Sequence, residues 1–488
     1  MGRIRAYLAF LGEWLCSPSR GGGAGRALNA AFLALLLAVG AAHWIGFMDA
    51  GDMKLTYEDW PAQHILLSAM EQGVVEGKVP YHISTFVLGG GTQRFFSIPD
   101  VMAFPLLPLL PKMTFGQFLL AHTLILYAAG FVGLLLIRRR YDLSPAAFAF
   151  LFLLFNFNGH VVAHLGVGHP WQGYFLLSFL ALFVLEMVEG RTDLVVPVKL
   201  AFVLTLLHVE GCFHIMVYGL LLLVLLAVFN RRYWKPCLLA LVFTGFLDAF
   251  RLLPPAVEYA GGGYAFIGGY RSLWDLFQAL VAVKEAGEFK IGGVFGRQGW
   301  WEYDLYVGVI GLAVFLYFGI AARWQKGWDL GARRYSELDW PLFVMFVASL
   351  SYFWAVVAKL PVPLFNSERC SSRFIIVPFV MLLVIGATRI QPCLDRLREF
   401  RHTPWLIALA LAELAFELVN HSVRWSVTLL ERSVDGFPFE VNARIVEKAD
   451  PLYKGAVQAG AVISAVTAAA LIALVLWKRG RPAKGGPG

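Results

Sequence analysis

Acidic side chains gather directly after the first long apolar run of the sequence. The run covers 27–48, and Asp49, Asp52 and Glu58 follow within ten residues of its end. Two carboxylates three residues apart can share one face of a helical turn, where burial and mutual repulsion raise the pKa of one of them toward that of a general base. Solvated acids that end a helix are the alternative. We predict Asp52 as the base, with Asp49 and Glu58 as supporting acids or metal ligands.

Histidines concentrate in two short segments, which hold five of the eleven in the chain. His160 and His164 stand four residues apart, as do Glu210 and His214, so each pair can share a helical face. This spacing suits a divalent metal, hydrogen bonding to phosphate or an acid–base relay, whereas a satisfied interfacial histidine is the alternative for any one ring. We predict that four of these histidines line a site: His164, His169, His208 and His214.

Two arginines four residues apart, Arg369 and Arg373, precede the apolar run 374–390. Such a pair can present a bidentate clamp to an anion at the level of the lipid headgroups. Paired arginines on an outer face are disfavoured by the positive-inside rule, so their presence needs a partner. A phosphate ligand and salt bridges to the acidic segment after 27–48 both supply one, and we predict the phosphate role.

Gly-rich and aromatic residues mark two long loops, about 49–112 and 254–303. The first includes Tyr81 and a predicted amphipathic helix at 60–73, and the second includes Trp301 and a predicted short helix at 272–286. Helices of this kind lie in the plane of the membrane interface. Aromatic residues at a membrane exit form an interfacial belt or stack against sugar rings, and we predict that Tyr81 and Trp301 bind substrate.

The elements that must position these residues are membrane helices. Hydrophobic residues make up 58% of the 488 and charged residues 15%, against roughly 45–50% and about 25% in ordinary soluble domains. Apolar runs long enough to cross a bilayer core of about 30 Å recur along the chain. The predicted fold is therefore an all-α polytopic membrane protein with about twelve spans. These are 27–48, 114–137, 143–158, 172–188, 194–209, 213–229, 236–253, 304–322, 340–359, 374–390, 404–423 and 456–477.

Lys and Arg in the short loops predict the orientation. They cluster before the first span, in alternate loops and in the tail, and an even number of spans places all of these clusters on one side. Both termini are therefore predicted to be cytoplasmic, in the plasma membrane. The net charge of +8 mostly reflects this arrangement, so we expect membrane lipids and no nucleic acid as partners.

Several short motifs occur in a defined order between residues 27 and 390. They are Gly51-Asp52, Gly77–Tyr81, Gly89–Gly91, Leu253–Glu258 with Arg271, Tyr303–Gly308 and Arg369–Phe374. In this order they resemble the GT-C superfamily of polytopic membrane glycosyltransferases, and most of all the bacterial YfhO-type family. The resemblance implies a catalytic module over 27–390, preceded by a cytoplasmic arm at 1–26. Residues 391–488 then add C-terminal spans, an outward loop at about 424–455 and a basic cytoplasmic tail.

The resemblance also implies a reaction. The donor would be a sugar linked to polyprenyl phosphate, and the acceptor a glycan, lipid or protein on the outer face (periplasmic or extracellular). A carboxylate of the first loop would act as base, for which Asp52 matches best, and outer-face Arg and His residues would hold the donor phosphate. The paired-acid signature of other branches is missing, so no cofactor is assigned, and a divalent metal is one possibility.

Two other classes of function are compatible with the same sequence. One is a transporter or flippase of a lipid-linked glycan, which inverted repeats would favour, although we find no such repeat in the sequence. The other is a non-catalytic subunit built on the GT-C scaffold, for which replacing Asp52 by Asn should leave the phenotype intact.

Overall fold

The computed structural model of the chain is nearly all-α. It describes residues 10–18, 23–85, 91–257, 268–284, 291–292, 297–324, 335–357, 359, 368–397, 400, 402–432 and 443–480. The helices α1 to α18 are, in chain order, Gly23–Phe47, Trp60–Glu76, Phe115–Tyr141, Pro145–Asn156, Gly159–Gly166, Leu177–Val188, Val195–Val209, Phe213–Phe229, Trp234–Leu247, Ala249–Ala256, Leu273–Val281, Gly308–Val314, Asp339–Ala348, Ser351–Val357, Ile376–Leu397, Thr403–Arg424, Val427–Arg432 and Pro451–Gly480. The short strands β1 to β5 are His82–Thr85, Thr92–Arg94, Ile291–Gly292, Arg297–Gln298 and Ala443–Ile445.

Apolar helices of membrane-spanning length dominate the fold. Within the described ranges, six helical segments are long and apolar enough to cross a bilayer, and α9 with α10 forms a seventh candidate that bends by 74°. Four shorter apolar helices accompany them. The predicted spans coincide with or overlap described helices: 213–229 is α8, whereas 304–322 begins before α12 and continues through the π-helix Phe315–Ile320 into the 3₁₀ turn Ala321–Trp324. The coarse prediction of a helical membrane protein agrees with this architecture.

Burial separates central helices from peripheral ones. Most residues of Pro145–Gly166 and Ser371–Leu397 are buried inside the protein, whereas few of those in Pro451–Lys478 are. A helix that is apolar on all sides is either surrounded by protein or suited to face lipid. The first two segments therefore lie at the centre of the molecule, and the third lies at its periphery with exposed apolar side chains.

The two predicted interfacial helices are both helical in the structure. The first is α2, and its apolar residues Ile65, Leu66 and Leu67 are fully or almost fully buried against the protein. The second is α11, which is shorter than predicted and begins after Ser272, whose side chain accepts a hydrogen bond from the Asp275 amide. Because α2 packs on the bundle, it holds the segment just before it, which includes Asp59, in a fixed position.

A small antiparallel sheet joins distant parts of the outward segments. Strand β1 pairs with β2 on one side and with β5 on the other. Asp450, just after β5, accepts hydrogen bonds from Arg94 (2.9 Å) and His82 (3.2 Å). The sheet and this ionic contact fix the loop between α1 and α3 to the start of α18.

Candidate functional site

A buried ion pair between Arg373 and Glu302 lies at the centre of the candidate site. Nε and Nη2 of Arg373 donate to the two carboxylate oxygens of Glu302 over 2.6 and 2.5 Å. Both side chains are more than nine-tenths buried. Burial raises the pKa of Glu302, but the charge and hydrogen bonds of Arg373 outweigh it and lower that pKa. Arg373 therefore already has a bidentate anionic partner within the protein.

A second buried carboxylate, Glu368, lies beside this pair. It accepts hydrogen bonds from the Tyr218 hydroxyl (2.6 Å), from Nδ1 of His214 (3.2 Å) and from the Cys370 amide (3.0 Å). Burial raises the pKa of Glu368, but His214, Arg373 and Tyr218 together outweigh burial and lower it to about 2. Glu368 is thus an ionised carboxylate held by two donors from α8 and one from the Cys370 amide.

A chain of hydrogen bonds leads from the surface into the same cluster. Oδ2 of Asp59 lies 2.7 Å from Nε2 of His169, and Nδ1 of His169 lies 2.7 Å from Nδ1 of His164. Gly168 shapes the turn before His169 with φ of +87°, and a side chain at this position would collide with Trp60. The Asp59 amide also donates to the Val167 carbonyl, which fixes the two segments together.

Trp171 connects this chain to the ion pair. Its ring stacks on His164 at 4.1 Å between centroids, and His160 contacts it at 4.8 Å. The Arg373 guanidinium lies 5.8 Å from its centroid. Helix α5 positions both histidines, because Asn158 caps its N-terminus by accepting from the Val161 amide.

Four of the predicted site residues therefore meet in one cluster: His164, His169, His214 and Arg373. Arg369 is exposed beside them, and its charge acts on Asp59. Salt bridges to the acidic first loop were one of the two expectations for these arginines, but the hydrogen-bonded carboxylate of Arg373 is Glu302, in the second long loop. We name this group the outer ionic cluster, after the side on which the sequence predicts these segments. It consists of Asp59, His164, His169, His214, Glu302, Glu368, Arg369 and Arg373.

Two of the three predicted first-loop acids, Asp49 and Asp52, make no side-chain hydrogen bond to the cluster among the described residues. Asp52 is exposed, and its amide donates to the Asp49 carbonyl in a tight turn. The third, Glu58, is exposed and has a positive φ of 46°. Its neighbour Asp59 contacts the cluster through His169.

His208 belongs to a neighbouring buried group. Its Nδ1 lies 2.5 Å from Oδ2 of Asp248, at the break between α9 and α10. A similar pair joins His122 to Glu210, also at 2.5 Å. The thiol of Cys212 donates to the Pro170 carbonyl over 2.8 Å, so this group adjoins the turn that carries His169.

The two predicted sugar-stacking residues lie apart from each other. The Tyr81 hydroxyl accepts from Gln458 of α18 (3.2 Å), and Lys454 lies over its ring. Trp301 is partly buried next to Glu302, and its ring lies against Gly299. Trp301 therefore adjoins the outer ionic cluster along the chain, whereas Tyr81 belongs to the region of the small sheet.

Sequence reasoning missed three carboxylates as site residues: Asp59, Glu302 and Glu368. Each is a direct neighbour of a residue that was predicted, namely Glu58, Trp301 and Arg369. An arginine predicted on the outer side needs an acidic partner. This requirement could have pointed to a carboxylate such as Glu302. Within the described residues, no group of three or more His, Cys, Asp or Glu is arranged to hold a metal ion.

An apolar cleft of about 670 Å³ begins next to the cluster. Leu305 and Ile375 line it and follow Glu302 and Arg373 by three and two residues. It continues along the π-helix Phe315–Ile320 and ends at an ion pair between Arg323 and Asp339. The cleft therefore joins a charged region to an apolar channel between helices.

These features define a helical membrane protein whose outer ionic cluster adjoins an apolar cleft. Comparison of the chain with protein-family models, with curated proteins and with solved structures finds no match in any of the three.

Proposed function

We propose that the protein is a membrane glycosyltransferase of the GT-C type, related to the YfhO-type family, that uses a sugar linked to polyprenyl phosphate. The observation that carries the proposal is the outer ionic cluster, whose members Glu302 and Arg373 precede the cleft-lining residues Leu305 and Ile375 by three and two positions. A lipid-linked donor needs cations for its phosphate, a carboxylate for the acceptor hydroxyl and an apolar path for its tail. The acceptor would be a glycan, lipid or protein on the outer face of the bacterial inner membrane.

The length of the cleft favours a long isoprenoid tail. Its lining residues include Leu305, which precedes the helical segment Gly308–Trp324, and residues between Phe315 and Trp324 within that segment. At 1.5 Å per residue this segment is on the order of 25 Å long, close to the full hydrocarbon thickness of about 30 Å. An acyl chain of a single leaflet would fill roughly half of such a length. A polyprenyl chain is long enough to occupy all of it.

The charges of the cluster divide into two roles in this proposal. Glu302 neutralises Arg373 through two hydrogen bonds, so the guanidinium acts through its field and by ordering Trp171. Arg369 is exposed next to it and is our candidate for direct contact with the donor phosphate. His214, partly exposed beside Glu368, is the second candidate for that contact.

The base in this proposal comes from the first outward loop. Asp52 matches the family pattern, and Asp59 is the first-loop acid that contacts the cluster. A transfer assay with polyprenyl-phosphate sugars decides between them. If Asp59 is the base, Asp59→Asn should reduce turnover by about 10²–10⁴-fold, while Asp52→Asn should retain it. Glu447→Gln, an exposed acid on the same side, is the matched control.

Two results of the transfer assay would contradict the proposal. Wild-type protein that binds the donor lipid but transfers no sugar to glycan, lipid or protein acceptors would contradict the enzyme assignment. Full activity in both Asp variants and in Arg369→Ala would contradict the proposed site. A non-catalytic scaffold subunit predicts the first of these results.

Transport of a lipid-linked glycan is the second candidate function, and a specific observation favours it. The buried pairs His122–Glu210 and His208–Asp248 lie at the ends of apolar helices. Buried acid–histidine pairs of this kind are typical of proton-coupled transporters. Proton-dependent movement of the lipid across proteoliposomes, lost in Asp248→Asn, would support transport over transfer.

A further inference from the structure

The chain Asp59–His169–His164 ends in a buried nitrogen without a partner. Nε2 of His164 is inaccessible to solvent and has no hydrogen-bond partner in the described structure. Nε2 of His160, on the same helix, is in the same condition. Buried polar atoms are rarely left unpaired, because the lost hydrogen bond to water costs about 1–3 kcal/mol. Two such atoms in adjacent rings therefore indicate a ligand.

The hydrogen bonds determine which nitrogens carry hydrogen. Burial raises the pKa of Asp59, but His169, Arg373 and Arg369 outweigh burial and lower it, so Asp59 is a carboxylate and accepts. Nε2 of His169 must then carry the hydrogen of that bond. With His169 neutral, which is part of the relay inferred below, its Nδ1 accepts and His164 donates from its own Nδ1. Nε2 of His164 is then a bare lone pair.

His160 also carries its hydrogen on Nδ1. It hydrogen-bonds the main chain of Asp304, and the Asp304 amide already donates to the Trp300 carbonyl. The Asp304 carbonyl is therefore the acceptor, and Nδ1 of His160 carries the hydrogen. Its Nε2 is a second bare lone pair, in a ring whose centroid lies 4.4 Å from that of His164. Both nitrogens can only accept, so the ligand must bring hydrogens.

We propose that His160 and His164 bind a hydroxyl group and that His164 passes its proton through His169 and Asp59 to the outer water. The proposal rests on the proposed function: the hydroxyl is that of the sugar acceptor, which contacts His164 directly or through one bound water. Asp59 is suited to release the proton to water because its side chain is 57% exposed. In this assignment the first-loop acid Asp59 acts at a distance: His164 takes the proton from the hydroxyl, and His169 and Asp59 pass it on.

The proton transfer balances as follows. The hydroxyl O–H bond breaks and an N–H bond forms at Nε2 of His164. The Nδ1 hydrogen of His164 moves to Nδ1 of His169, and the Nε2 hydrogen of His169 moves to Asp59 and then to water. The hydroxyl oxygen bonds to the anomeric carbon of the donor, and the bond from that carbon to the phosphate oxygen breaks with its electron pair on phosphate.

Exposure favours this direction of transfer. His164 is fully buried, whereas the Asp59 side chain is 57% exposed. A proton that reaches Asp59 can therefore pass to the outer water.

Nitrogen NMR tests the hydrogen placement independently of activity. Full-length protein in lipid nanodiscs with ¹⁵N-labelled histidine should show unprotonated Nε2 and protonated Nδ1 for His160 and His164 at neutral pH. His160→Gln and His164→Gln assign the signals, and Asp59→Asn should shift those of His169 and His164. A protonated Nε2 on His164 in the wild type would overturn the proposal. Addition of acceptor should shift Nε2 of His164 strongly for direct contact, and weakly when one water lies between.

Kinetics test the relay itself. His164→Gln, His169→Gln and Asp59→Asn should each lower transfer by about 10²–10⁴-fold. The double variant His164→Gln/Asp59→Asn should lose no more than the worse single variant, because the groups act as a unit. The decline of the rate at acid pH should disappear in His164→Gln. The exposed His402→Gln is the matched control.

The two levels of failure are distinguishable. Additive losses, or an unchanged pH profile in His164→Gln, would overturn the relay while leaving a glycosyltransferase in place. A wild type that transfers no sugar overturns the proposed function and, with it, the assignment of the bound hydroxyl to a sugar acceptor. The NMR experiment decides independently which ring nitrogens carry hydrogen.

Discussion

A single buried charge is costly, and Glu302 shows how this chain offsets that cost. Arg373 is buried, and Glu302 supplies two short hydrogen bonds in matched geometry. Removing one partner of a buried ion pair leaves the other charge uncompensated, whereas replacing both with apolar residues is often tolerated. The pair therefore contributes to stability mainly by neutralising each other's charge.

A single and a double variant of this pair test whether neutralisation is its main role. Glu302→Gln should lower the free energy of unfolding by about 3–5 kcal/mol, measured by denaturant unfolding in detergent. The double variant Glu302→Leu/Arg373→Met should be less destabilised than Glu302→Gln. Equal or larger loss in the double variant would show that Arg373 has another essential anionic partner.

Glu368 makes stability depend on acid pH. Its folded pKa is lowered from 4.5 to about 2, so the unfolded chain takes up a proton first as pH falls. The resulting stability is fully present above pH 4.5 and is lost as pH falls toward 2. The loss should amount to at most about 3 kcal/mol. Glu368→Gln should remove this part of the pH dependence, and an identical slope in both proteins would contradict it.

The residue types of the cluster were accessible from the sequence, but their pairing was not. Histidines four residues apart on a helix share a face, and His160 and His164 do contact each other. The partner of Arg373 is 71 residues away, and nothing local selects Glu302 over the acids of the first loop. Only packing of the helices decides which carboxylate reaches the guanidinium.

At the level of single elements, the wall of the apolar cleft depends on an arginine inside the protein. Nη1 of Arg389, in α15, donates to the carbonyls of Phe318 and Gly319 in the π-helix Phe315–Ile320. A π-helix departs from the regular α-helical bonding and often marks a functional region. Gly319 lines the cleft, so Arg389 helps to fix the shape of its wall.

Arg389→Met should therefore weaken both the fold and the cleft. Loss of hydrogen bonds from a charged donor costs about 1.5–3 kcal/mol, which thermal unfolding in detergent would report. Binding of a polyprenyl phosphate should weaken in the same variant. Thr388→Val, on the adjacent position of α15, is the control. Unchanged lipid binding in Arg389→Met would show that the bonds from Arg389 to the π-helix do not determine the shape of the lipid-binding cleft.

Helical elements were predictable because membrane helices are read from apolar length alone. The span predicted at 213–229 coincides with α8. The bend after Leu247 and the π-helix were not predicted, since both depend on tertiary hydrogen bonds. Strands β1 and β5 were also missed, because they pair across more than 350 residues and are only three or four residues long.

At the level of the whole molecule, side-chain contacts constrain the topology. A hydrogen bond cannot reach across a hydrocarbon core of about 30 Å, so bonded loop residues lie on the same side. Asp59–His169, His214–Glu368 and His82–Asp450 each join two predicted outward segments. Arg140–Glu189, Asn230–Glu337 and Gln391–Cys16 each join two predicted inward ones. These contacts agree with the sides that the sequence predicts for these segments, and the count of twelve crossings stays a prediction.

Cysteine labelling tests that topology directly. In a cysteine-free background, Thr92→Cys and Glu447→Cys should react with a membrane-impermeant maleimide in intact cells, since both positions are exposed on the proposed outer side. Thr192→Cys and Arg231→Cys, equally exposed at the opposite ends of α7 and α8, should react only after permeabilisation. Labelling of Thr192→Cys in intact cells would put α7 in the reverse orientation. Since α7 leads into the turn beside Pro170, that result would also place the outer ionic cluster on the cytoplasmic side, where a donor and acceptor on the outer face could not reach it.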